Sequence, residues 1–162
     1  MERLPLLPGQ ESVWDYPRPP RVEPVRAVVE VELGGSLLAR TTAAHRVLET
    51  SHPPVYYLPR ADVDASLLVP NGRRSFCEFK GWASYYSVQL GGRRVDDAAW
   101  SYEEPAPGFE AIRGAFAFYA HKMDRCAVGG ERVRPQPGGF YGGWITDAIV
   151  GPFKGEPGSS GW

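Results

Sequence analysis

Three glycine pairs set the limits on what this chain can fold into. Gly34-Gly35, Gly91-Gly92 and Gly129-Gly130 each stand between two short runs that read as strands. VRAVVEVEL (25–33) leads into the first pair, alternating Val29, Val31 and Leu33 with Glu30 and Glu32, and SLLAR follows it. That period of two is the pattern of a half-buried strand. Glycine takes the positive φ that a two-residue hairpin turn demands, so each pair is read as a tight reversal between antiparallel strands. ASYYSVQL and RRV flank the second pair, RCAV and ERV the third.

The rest of the chain agrees with this reading. GAFAFYA (114–120) places Phe116 and Phe118 on one face of a further strand. Residues 62–67 and 109–113 are the only helix candidates, one or two turns each. The 19 glycines and 16 prolines are scattered, which suits short strands and tight turns. The fold class expected is all-β, made of short antiparallel strands with one or two very short helices.

Residues 1–24 carry Pro5, Pro8, Pro17, Pro19, Pro20 and Pro24, which remove ladder donors, so this is an extended arm. Its Trp14 and Tyr16 are expected to pack back on the domain formed by residues 25–162. VYYLPRADVDASL (55–67) echoes WSYEEPAPGFEAI (100–112), which suggests two pseudo-repeated halves at about 25–80 and 81–162. Recurrence of glycine-pair hairpins alone is the competing explanation. The segment after Arg134 is too rich in glycine and proline for a helix and is read as a turn-rich strap.

Several function classes are disfavoured. Net charge is −1 and the 18 basic residues are spread along the chain, which argues against nucleic acid as a partner. No apolar run is long enough for a membrane span, and MERLPLLPGQ lacks the apolar core of a secretion signal. A cytoplasmic location is expected, with Cys77 and Cys126 reduced. Neither cysteine has a second Cys or His at zinc-ligand spacing and H-E-x-x-H is absent, so no metal site is expected. P-loop, dinucleotide and G-x-S-x-G signatures are missing, and no cofactor is called for. Asp62 is read as the cap of the short helix after it.

The aromatic residues point to a site. Within SFCEFKGWASYYSV (75–88), the ten residues from Cys77 to Tyr86 set a thiol, a lysine and the rings of Phe79, Trp82, Tyr85 and Tyr86 close together. Tyr and Trp favour places where one end of the ring is apolar and the other meets a partner. A cavity between two β units is therefore expected, lined by Tyr57, Phe79, Trp82, Tyr85, Trp100, Tyr102, Tyr119 and Trp144. Lys80 and Glu103 would be its polar anchors, with Cys77 in its wall and a small molecule as its occupant. The protein is expected to act as a monomer or weak homodimer.

SFCEFKGWASYYSV, VYYLPRADV, WSYEEPAP with AIRGAFAFY, and GGFYGGWITDAIVGPFKGEPGSSGW together resemble the DUF427 family of small bacterial proteins, over roughly residues 25–162. The family's central block runs S-x-C-P-[YF]-K-G-x-A-x-Y-[WY]. This chain keeps Ser75, Cys77, Phe79, Lys80, Gly81, Ala83, Tyr85 and Tyr86, with Glu78 in the usual proline position. The resemblance implies a β-tent-like architecture, antiparallel sheets joined at one edge and open at the other around an apolar cavity. Zinc-containing members of that class use paired cysteines, which are absent here. Two enzymatic alternatives stand beside ligand binding. One is a Cys77 nucleophile activated by Lys80; the other, after a label attached to the family, is a metal-dependent nucleotidyltransferase using Asp62, Asp64 or Asp96-Asp97. A fourth reading is a protein-interaction module using the proline-rich arm.

Overall fold

A computed structural model describes the whole chain, Met1–Trp162. It is all-β: strands form several small antiparallel sheets, none closed into a barrel, and no helix reaches seven residues. The three glycine pairs turn three hairpins. Gly34 and Gly35, both at positive φ, join Val29–Leu33 to Ser36–Thr41. Gly129 and Gly130 do the same between Arg125–Val128 and Glu131–Arg132. The middle pair joins Gly81–Leu90 to Arg93–Ser101, and there only Gly91 takes a positive φ.

The central element is a four-stranded antiparallel sheet in the order Phe116–Phe118, Arg93–Ser101, Gly81–Leu90, Leu68–Cys77. Where Gly81–Leu90, Arg93–Ser101 and Phe116–Phe118 run side by side it is buried on both faces, and alternation along the strands decides which side chain goes where. Tyr86, Val88, Ala99, Phe116 and Phe118 enter the larger core. Ala83, Tyr85, Trp100 and Ala117 enter a second, aromatic core.

Across the larger core lies a second four-stranded sheet, in the order Glu131–Arg132, Arg125–Val128, Val29–Leu33, Ser36–Thr41. Its Val29, Val31, Leu33, Leu38 and Cys126 face Phe116 and Phe118, all nearly inaccessible to solvent. Each such side chain contributes about 1.5–3 kcal/mol by leaving water. Glu30 and Glu32 point the other way and meet Arg40 and Arg125.

A third sheet of Arg21–Pro24, His45–Leu48 and Val55–Tyr57 brings Val47 and Tyr57 to the aromatic core. In place of the one short helix expected over 62–67 stand two separate single turns of 3-10 helix, Arg60–Asp62 and Ala65–Leu67. Asp62 caps neither; its carboxylate accepts from Thr41 Oγ1 at 2.7 Å. The Pro-rich N-terminal residues are tied down. Glu11–Ser12 pairs with Ile149–Val150, Val13 and Tyr16 pack with Leu48 and Ile149, and Trp14 Nε1 donates to Pro152 O.

Candidate functional site

Beside the aromatic core a cavity of about 520 Å³ opens to solvent. That volume falls in the range of sites for small organic molecules. Several stretches of chain build it. The central sheet and the residue after its Phe116–Phe118 strand supply Tyr85, Trp100 and Tyr119; Val55–Tyr57 of the third sheet supplies Tyr57; the end of Leu68–Cys77 and the hairpin turn after it supply Cys77, Phe79 and Lys80; and the turn after His45–Leu48 supplies Glu49, His52 and Pro53. The strap closes it with Gln136, Phe140, Tyr141, Lys154 and Trp162, and Arg18 reaches in from the N-terminal segment. Tyr57, Tyr85, Trp100 and Tyr119 are buried, whereas Phe76 and Phe140 are 61% exposed, so the first four mark the interior and the latter two the mouth.

The residues expected from sequence divide in two. Tyr57, Cys77, Phe79, Lys80, Tyr85, Trp100 and Tyr119 line this one cavity. Trp82, Tyr102, Glu103 and Trp144 lie outside its lining. Trp82 sits on the other face of its strand, paired across the ladder with Phe76 (ring centres 5.1 Å apart) and covered by Arg74. Tyr102 packs behind Tyr57 in the aromatic core. Trp144 is enclosed in the larger core, stacked on Tyr56, with its Nε1 donating to Phe118 O. Glu103 binds Arg60 at 2.9 Å and accepts from Tyr86 Oη, on the larger-core side of the sheet.

Local polar bonds fix the interior. Trp100 Nε1 donates to Tyr57 Oη at 3.3 Å, Ser75 Oγ and Tyr85 Oη share a bond at 2.9 Å, and Tyr119 Oη donates to Phe140 O at 3.0 Å. Burial pushes the phenols of Tyr57 and Tyr119 above their ordinary range, so they stay protonated.

His52 carries no local signal in the sequence, yet it shares the cavity with Cys77. Its tautomer follows from its neighbour. Gln136 Oε1 accepts from Gly143 N, which leaves Gln136 Nε2 to donate to Lys154 O and to His52 Nδ1 at 3.1 Å. An amide nitrogen only donates, so Nδ1 must accept and the ring proton sits on Nε2. Nε2 lies 3.6 Å from Glu49, whose carboxylate is shared with Arg18. Burial lowers the His52 pKa to about 4, helped by Arg18, Lys80 and Lys154. Both ring nitrogens thus face partners other than Cys77, and the imidazole lone pair is committed to Gln136. A histidine base for a Cys77 nucleophile is not assembled.

The carboxylate pairs are also engaged by protein groups. Asp64 accepts from Ser66, Asp96 from Arg94 and Ser87, and Asp97 from Asn71 and Arg73. No three His, Cys, Asp or Glu side chains gather in one place. No helix is long and apolar enough to cross a membrane.

Sequence reasoning missed Arg18, Glu49, Gln136, Lys154 and Trp162. Each comes from a turn or strap that only the tertiary fold brings to the cavity, and none carries a local signal. Compared with known families, residues 21–129 match one described as a domain of unknown function (DUF427). The strap side of the cavity lies beyond that span. No curated protein matches the chain.

Proposed function

The chain belongs to the DUF427 family, whose function is unknown, and from that premise we propose that it binds a small organic ligand in the cavity walled by Tyr57, Tyr85, Trp100 and Tyr119. One observation carries the reading: an open volume of about 520 Å³ persists against buried aromatic side chains that a collapsed core would have packed together. The rings offer flat apolar contact, and the hydrogen bonds that hold their edges keep the walls in place without a ligand. Such preorganisation lowers the entropy lost on binding. Binding rather than covalent chemistry is supported by the committed lone pair of His52.

The test is equilibrium dialysis with one neutral probe, coumarin, and one anionic probe, salicylate, against wild-type protein and Val55→Trp. Val55 lines the cavity from a strand, so a tryptophan there fills the space. Saturable binding to wild type that drops at least about tenfold in the filled variant, about 1.4 kcal/mol, supports the reading. Binding by neither probe, or equal binding to both proteins, contradicts it.

A further inference from the structure

We propose that the cavity takes a flat aromatic anion bearing a hydrogen-bond acceptor at the end remote from its charge; this inference rests on the ligand-binding reading above. Three features of the wall specify the three parts of that ligand.

The mouth specifies the charge. Arg18, Lys80 and Lys154 line it, against the carboxylates of Glu49 and Glu78. Glu49 is taken by Arg18 at 3.3 Å, but neither lysine forms an ion pair. Lys154 Nζ donates to Ser159 O and Ser160 O, which leaves one N–H unspent and its charge uncompensated. Lys80 Nζ meets only the face of Tyr102, 5.7 Å from the ring centre. Against these two ammonium groups stands only the one unpaired carboxylate of Glu78, so the lining carries a net positive charge that favours an anion in a partly closed, low-dielectric cavity.

The interior specifies the body and its far end. Tyr57, Tyr85, Trp100 and Tyr119 present ring surface to a flat apolar group. Among these, Tyr85 and Tyr119 have hydroxyl partners in the protein. Tyr57 is different. Its oxygen accepts from Trp100 Nε1, while no protein acceptor takes its own proton, and the residue is only 1% exposed. A buried O–H without an acceptor is unfavourable, and a ligand carbonyl oxygen or ring nitrogen reaching it relieves that. Because Tyr57 is in the interior and the lysines are half-exposed, acceptor and charge belong at opposite ends of the ligand.

Three probes of nearly equal shape separate the parts: para-acetylbenzoate, para-isopropylbenzoate, which lacks the acceptor, and para-acetylbenzamide, which lacks the charge. Dissociation constants come from titration calorimetry on the full chain. The acetylbenzoate is expected to bind tightest, the isopropyl compound about fivefold weaker and the amide about tenfold weaker. Tyr57→Phe should erase the first difference and keep the second; Lys80→Met should shrink the second and keep the first. In wild type, with no substitution at all, the benzoate-over-amide preference should fall as salt rises. Equal binding of benzoate and amide, a salt-independent preference, or an acetyl preference untouched by Tyr57→Phe overturns the inference while leaving the cavity a ligand site. If none of the three binds, and coumarin and salicylate also fail, the ligand-binding reading itself falls.

Discussion

Gly142 lies so close over the indole of Trp100 that a β-carbon added to it would come within 2.1 Å of Trp100 Cη2. Glycine is needed there for approach rather than for an unusual φ. The contact seats the strap, with Phe140 and Tyr141 beside it, on one wall of the cavity. Gly142→Ala must lift the strap or turn the indole away from Tyr57. Urea unfolding is expected to register a loss of about 1–3 kcal/mol, as for other overpacked sites, and tryptophan emission should shift in the folded protein.

Two tryptophans that the sequence treats alike should behave differently. Trp144 is 1% exposed and Trp82 is 49% exposed. Trp144→Ala is expected to cost about 3–5 kcal/mol by leaving a core cavity. Trp82→Ala loses only its contacts with Phe76 and Arg74 on the surface, and should cost about 1 kcal/mol or less. Chemical denaturation of both variants checks the contrast.

His52 gives the fold a specific sensitivity to mild acid. Its pKa falls from an ordinary 6.5 to about 4 on folding, so between those values the unfolded chain binds the proton and the folded one does not. Its contribution is therefore complete above pH 6.5 and is lost progressively as pH drops towards 4, by about 2–3 kcal/mol. His121 is lowered in the same direction by burial and Lys122 and adds to the slope. His52→Asn offers Gln136 an acceptor without a titrating ring. Unfolding free energies measured across this window should flatten in that variant and keep their slope if His52 is not the source.

The two thiols should be told apart by alkylation. Cys126 is 2% exposed in the larger core, where burial pushes its pKa up to about 12. Cys77 borders the cavity. Iodoacetamide on native protein is expected to modify Cys77 alone, with Cys126 labelled only after unfolding. Mass mapping of the modified peptides decides it, and early labelling of Cys126 would refute the packing described here.

How far the sequence reaches can be judged from particular residues. The hairpins were legible because glycine pairs between alternating strands impose a local geometry that tertiary packing has no reason to override. Phe116 and Phe118 were legible as core for the same reason, two apolar side chains spaced by two. The site was half legible. Tyr57, Phe79, Tyr85, Trp100 and Tyr119 could be named as aromatic, yet composition says nothing of which face of a sheet a ring takes. Parity does carry part of that signal: Trp82 and Tyr85 lie an odd number of positions apart in one strand and so point to opposite faces. Lys80 could be named as well, whereas Arg18, Lys154 and His52 were out of reach. Arg18, His52 and Lys154 come from three distant segments, and only closure of the strap over the turn at His52 brings them to the same mouth.

The most direct test of the cavity as a ligand site is to follow the side-chain Nε1–H resonances of the five tryptophans while coumarin or salicylate is added. Trp100 and Trp162 line the cavity, whereas Trp144 is bonded to Phe118 O in the larger core and Trp82 lies on the outer face of its strand. A ligand in the cavity predicts saturable shifts at Trp100 and Trp162 with Trp82 and Trp144 unmoved. Shifts at Trp82 or Trp144 with Trp100 still, or no shift at any of the five, would contradict it.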